Sequence, residues 1–302
     1  MRYRLLVVKK IYILLFMACS TISYAKATPS PKKITCTHPI ICALAQRTIK
    51  NVVSSQQTKA MSFNSPVQRT SDPHHFEPGL KEIKGLLNAP YLITGPTELQ
   101  PWERKIKTWR QKRPDLKTIY LELPRKIDDL YRSNNRHALS HFWLYPKLLC
   151  LFEKRIVTQL NLFGIPLKKH VNQHGCSYLK LDRQASRIFS RLKHRIVIVT
   201  HDALMPWLKK YSVNAHAITS SDHHQELTTT VIKKLITLLQ ETQNQSNIWI
   251  MEKNIPIPPL IGRQIKPNDK IINFQPQQIG HDQSPTAPLR KILKSLNMSL
   301  NR

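Results

Sequence analysis

The chain has 302 residues, 47 of them Lys or Arg against 18 Asp or Glu, and a formal net charge of +29. That length can bury one large core or two of roughly 100–150 residues each, and seven glycines are too few for the phosphate-cradling loops of a dinucleotide site. A field this positive can hold a protein against anionic lipid, polyphosphate or nucleic acid. Beyond the N-terminal segment, however, the basic residues are spread from Lys32 to Arg302 in ones and twos, with no Arg-rich arm and no stripe interleaved with stacking aromatics, so a solvated surface is expected and nucleic acid is not.

Residues 1–25 read as an export signal. Arg2, Arg4, Lys9 and Lys10 give positive charge, Ile11 to Ala18 is an apolar run far shorter than the roughly 20 residues of a membrane span, and Ser23-Tyr24-Ala25 suits a peptidase. The mature chain is expected to start near Lys26 with a charge of +25, since those four basic residues leave with the signal. A lipid-anchored start at Cys19 is the competing reading, though Phe16 and Met17 make a poor lipobox.

Apolar runs and amphipathic stretches then alternate. Lys33 to Thr37 reads as a strand, followed by a helix bearing Ile40, Ile41, Leu44 and Ile49. Pro78 suits a helix start, with Leu80, Ile83, Leu86 and Leu87 on one face. Tyr91 to Thr94 is a short buried strand, Leu99 to Trp109 a helix, and Thr118 to Leu123 a strand. Arg125 to Leu139 is polar and expected to be loop. A helix from Pro146 should stop near Gly164 and Pro166, a polar helix should span Asp182 to Lys193, and Arg195 to Thr200 is the clearest strand. Beyond it come a helix with Leu204, Trp207 and Leu208, a strand at Ala215 to Thr219, a helix from Leu227 to Leu239, strands at Ile248 to Met251 and Lys270 to Phe274, and a last helix near Leu289 to Leu296. Two successive βα arrays imply an α/β fold of two lobes, each with a mainly parallel sheet covered by helices on both faces. No repeat of 20–50 residues is visible.

Four cysteines remain after processing: Cys36, Cys42, Cys150 and Cys176. In an oxidising compartment they permit three full connectivities. Cys36 and Cys42 flank His38, which suggests metal, but a disulfide or two buried thiols is the favoured reading because the preceding strand points into a core.

Histidines carry the chemistry. Asp72-Pro73-His74-His75-Phe76-Glu77-Pro78 holds two, the first stiffened by the fixed φ of Pro73. His141 precedes the apolar Phe142-Trp143-Leu144, and His201-Asp202 follows the Val199-Thr200 strand end, where ligands gather in open α/β sheets. Singly, each has a plainer reading: a surface loop, a packed core histidine, a helix cap. Together, three imidazoles begin a tetrahedral zinc site. Glu77 could accept a ring proton from His74 or cap the next helix, and Asp202 could orient His201 or act as a cap. His223-His224 reads as an exposed helix start.

The Asp72–Pro78 motif, Leu99-x-x-Trp102, His141-x-Trp143-Leu144-x-Pro146 and Thr200-His201-Asp202-Ala203 resemble, in order and spacing, the cluster A-I solute-binding proteins of zinc and manganese ABC importers. The resemblance covers roughly Lys33 to Ser299. It implies two lobes joined by one long helix, with a metal held between them and passed to a membrane permease. The expected division is a signal segment over 1–25, a metal-binding lobe over 26–165, a linking helix region over 166–194 and a second lobe over 195–302.

The family's first three ligand positions map onto His74, His141 and His201. Histidine at the third resembles the zinc members rather than the manganese members, and an all-imidazole set suits Zn²⁺ better than the harder Mn²⁺. The family's fourth ligand, an Asp, is matched here by Gln275, which leaves water, His281 or Asp282 to complete the set. Ser140 stands where the family often has an Asp-Pro, and the segment before His141 holds only His137 in place of an extended His-rich loop.

The leading expectation is therefore a non-enzymatic periplasmic receptor, monomeric, that gives a divalent metal to an ABC importer permease. A zinc hydrolase shares the three-histidine requirement, but no HExxH helix is present and Glu77 is the only candidate base. A third reading is a basic protein that contacts an anionic membrane or polymer and has lost its metal site.

Overall fold

The computed structural model describes residues 32–67, 76–97, 100–124, 141–168, 176–219, 229–242, 244–252, 255–276 and 284–301. Residues 32–302 form one compact unit. Two four-stranded sheets, all parallel, carry the architecture.

The first sheet contains β1 (Lys32–Cys36), β2 (Met61–Asn64), β3 (Tyr91–Thr94) and β4 (Lys117–Tyr120), in the order β2-β1-β3-β4. The second contains β5 (Ile196–His201), β6 (Asn214–Thr219), β7 (Ile248–Glu252) and β8 (Lys270–Phe274), in the order β6-β5-β7-β8. The two orders are the same walk: one step outward, then a crossover back past the starting strand. The same topology thus recurs in both halves without a visible sequence repeat. In each sheet the reversal of winding lies between the first and third strands, β1/β3 and β5/β7, and crevices at such carboxyl-end reversals are where open α/β sheets bind ligands.

Helix α1 (Pro39–Val52) follows β1 with His38 at its N-cap, the Nδ1 atom accepting the Ile40 N–H at 3.1 Å, and Pro39 supplies the preset φ of a first helical residue. It buries Ile40, Ile41, Leu44 and Ile49. A short α2 (Ser55–Lys59), capped by Ser54, leads to the edge strand β2. α3 (Leu80–Leu87) and α4 (Glu103–Arg110) pack together on a separate small core of Leu86, Ala89, Leu92 and Ile106.

The longest helix among the described residues, α5 (Pro146–Leu162), ends where the sequence predicts. Gly164 sits at φ 70°, Ile165 N–H bonds Leu160 O, and Gly164 N–H bonds Asn161 O, so the last carbonyls are satisfied by a left-handed cap. α6 (Leu179–Ser190) begins three residues earlier than the polar pattern suggests. The second lobe adds α7 (Met205–Lys210), α8 (Thr229–Glu241), α9 (Pro259–Gly262) and α10 (Ala287–Leu300).

The main core is continuous across both sheets, joining Ile34, Ile93 and Ile119 to Val197, Val199 and Ile250 through Phe142, Trp143, Tyr145, Phe152 and Trp207. Two disulfides settle the connectivity as Cys36–Cys42 and Cys150–Cys176, with Cα separations of 5.4 and 5.5 Å. Both Cys36 and Cys42 are thus withdrawn from metal ligation. Among the described residues, no helix is long and apolar enough to cross a membrane.

Candidate metal centre

The carboxyl ends of both sheets are tied by the same device, a threonine hydroxyl accepting a backbone N–H from the neighbouring strand. Thr37, just after β1, accepts from Gly95, just after β3, at 3.1 Å, and Thr200 of β5 accepts from Glu252 of β7 at 2.7 Å. These ties join β1 to β3 and β5 to β7 at the carboxyl ends where the winding of each sheet reverses.

The segment from His141 to Tyr145 then crosses to the second sheet. Trp143 Nε1 donates to Pro276 O, which follows β8, the Tyr145 hydroxyl donates to Ala203 O, and Trp207 Nε1 donates to Leu144 O at 2.9 Å. Trp143 lies between two histidines, with ring centroids 6.0 Å from His38 and 5.3 Å from His141. With a buried tryptophan and tyrosine as its props, this 3-10 turn (Phe142–Leu144) delivers His141 to β5.

His141 and His201 meet there, edge to face, with ring centroids 4.8 Å apart. Both are buried. Two of the three predicted imidazoles, 60 positions apart in sequence, therefore come within reach of one small ion. His74 and His75 lie outside the described residues, as do His137, His223, His224, His281 and Asp282. Among the described residues, no group of three or more His, Cys, Asp or Glu side chains is arranged to hold a metal by itself.

The His201 ring lies between two carboxylates, Glu252 Oε2 at 3.5 Å from Nδ1 and Asp202 Oδ1 at 3.8 Å from Nε2. Both distances are too long for good hydrogen bonds, so the contribution is negative charge in a poorly solvated crevice, which favours a cation. His201, not Asp202, occupies the N-cap position of the following 3-10 turn (Asp202–Leu204), with no side-chain capping bond. Glu77 is exposed and does not cap α3, whose N-cap is Gly79. Gln275 follows β8 directly and brings no charge to the crevice.

Glu252 is the residue that sequence reading passes over. At the end of Ile248-Trp249-Ile250-Met251 it looks like a strand terminus; only the β5/β7 pairing sets it beside His201. A carboxylate closing an apolar strand at the carboxyl edge of a parallel sheet is the signal that could have found it.

Behind the first crevice, Glu103 is fully buried and its Oε2 accepts the Gly95 N–H at 2.9 Å. Burial pushes its carboxyl up to about 8, against the opposing pull of bonds from Thr37 and Gly95.

The sequence model for the periplasmic component A of zinc-uptake complexes, ZnuA, matches residues 34–256, well over half of the chain. The chain belongs to the ZnuA family. Solved structures agree at the level of fold. A ZnuA crystal structure is 19% identical, with 87% of this chain and 98% of that one covered and a TM-score of 0.62. AdcAII of Streptococcus pneumoniae is 16% identical, with coverages of 90% and 99% and a TM-score of 0.62. TroA of Treponema pallidum, described as a periplasmic zinc-binding protein, is 12% identical over the same shares, also at 0.62. No curated protein matches by sequence. As a ZnuA-family member the chain is a metal-binding solute receptor of ABC-type uptake, from a periplasmic family of non-enzymatic transport receptors.

Proposed function

We propose that this receptor captures Zn²⁺ through His74, His141 and His201, in the crevice between its two sheets, and yields it to the permease of an ABC importer. It acts as a monomer in the periplasm after loss of residues 1–25, with lobes over 26–165 and 195–302 linked through 166–194. The observation that supports this reading best is the His141–His201 pair, buried at 4.8 Å and presented from opposite halves of the chain. Imidazole nitrogen favours Zn²⁺ over Mn²⁺, which prefers oxygen donors. Glu252 and Asp202 supply the negative charge that Gln275 lacks.

Calorimetric titration of the metal-stripped chain tests the reading. Zn²⁺ should bind one to one and outcompete Mn²⁺, and His141→Ala and His201→Ala should each weaken it strongly. Zn²⁺ affinity unchanged in both variants, or a preference for Mn²⁺, would overturn it.

A further inference from the structure

A second surface, remote in chemistry from the histidines, is built on α4. This helix sorts its side chains by partner. Inward go Glu103, Ile106 and Arg110, all buried, with the Arg110 guanidinium bonded to Thr118 Oγ1 at 2.7 Å and to the carbonyls of Leu86 and Leu87 at 3.0 Å. Lys107 is paired with Glu122, and Arg113, just past the helix, with Asp115 at 2.8 Å. Outward are left Arg104, Lys105, Thr108 and Trp109, which with Lys112 just past the helix line a shallow cavity of about 400 Å³. Arg104, Lys105 and Lys112 are exposed, and none has an acidic partner among the described residues. Trp109 is half-buried, its ring held under the Arg113 guanidinium at 5.3 Å. The sequence suggests no basic stripe with aromatics; folding makes one, because the only acid of the helix turns inward.

We infer that this face of α4 docks on anionic phospholipid, the cavity taking a headgroup phosphate between Arg104, Lys105 and Lys112 while Trp109 sits at the interface. Long cationic stems around an amphipathic ring are what a membrane surface selects, since the charge stays with the phosphates and the ring straddles polar and apolar layers. The depression is open to solvent, which suits a headgroup presented at a membrane surface rather than an enclosed ligand. Eight helical residues span only about 12 Å, too short for the roughly 6–10 phosphate contacts with which proteins grip nucleic acid. A receptor of a periplasmic family works beside a membrane, and holding it there would shorten its search for a permease. The inference does not depend on which metal is carried.

Co-sedimentation of the purified chain with phosphatidylglycerol/phosphatidylcholine vesicles, against phosphatidylcholine alone, tests it. Binding should require the anionic lipid, collapse with salt, and fall about fivefold per cation removed, on the order of a hundredfold in Arg104→Gln/Lys105→Gln/Lys112→Gln. Lys59→Gln/Lys154→Gln/Lys294→Gln, the same charge change at exposed sites elsewhere, should bind much as the parent does. Equal losses in the two triple variants would mean net charge alone acts, and overturn the assignment. So would tighter, patch-dependent binding of a single-stranded oligonucleotide, or vesicle binding that survives in the α4 triple variant.

Discussion

At the scale of single residues, a half-buried carboxylate and a fully buried one do opposite work. Glu252 borders His201 at 3.5 Å, and groups that support a metal-binding histidine typically contribute 10–100-fold in affinity. Glu252→Gln keeps the shape and removes the charge, so Zn²⁺ affinity should fall at least roughly tenfold in calorimetry with the unfolding midpoint of the metal-free chain little changed. Glu103, by contrast, is stabilised as the neutral acid, its folded-state value standing at about 8 against 4.5. Between those values the folded chain holds a proton that the unfolded chain has lost. Stability from this group is therefore full below the lower value and drains as pH rises through the upper one. In Glu103→Gln that loss should vanish: denaturation measured from pH 5 to pH 9 should show the variant gaining on the parent as pH rises, and parallel curves would refute the assignment.

At the scale of elements, local signals and cross-strand signals part company. Helix α5 was legible at both ends: Pro146 opens it, and Gly164 at φ 70° closes it. A Cβ at Gly164 would meet nothing within 4 Å, so Gly164→Ala should cost only the left-handed backbone penalty, about 1 kcal/mol, seen as a lower urea midpoint at unchanged slope. β2 was not legible. Met61-Ser62-Phe63-Asn64 is a half-exposed edge strand with no apolar run to announce it, and it exists because β1 offers it a parallel partner. The short α2 and α9 were missed for a related reason, since four or five residues complete too little of a helical period to be read. The outward face of α4 belongs here too: its cations are visible in sequence, but their freedom from acids is set by Glu103 turning inward and by the Lys107–Glu122 pair.

At the scale of the whole molecule, the disulfides and the repeated sheet order decide how the halves are held. Cys150 and Cys176, 26 positions apart, join α5 to the approach to α6. Removing that bridge by Cys150→Ser/Cys176→Ser should lower the unfolding free energy by roughly 3 kcal/mol through the freed entropy of the unfolded chain, measurable as a shifted denaturation midpoint under non-reducing conditions. The sequence by itself determined the alternation of strands and helices, the parallel α/β class and the histidines worth watching, because periodicity and capping act over a few residues. Tertiary structure alone decided the β2-β1-β3-β4 and β6-β5-β7-β8 orders, the cysteine pairing, the meeting of His141 with His201 and the place of Glu252 beside them. Each of these is a contact between residues that no local pattern relates: Glu252 reaches His201 only because its own N–H closes onto Thr200, 52 positions back, when β7 lies down against β5.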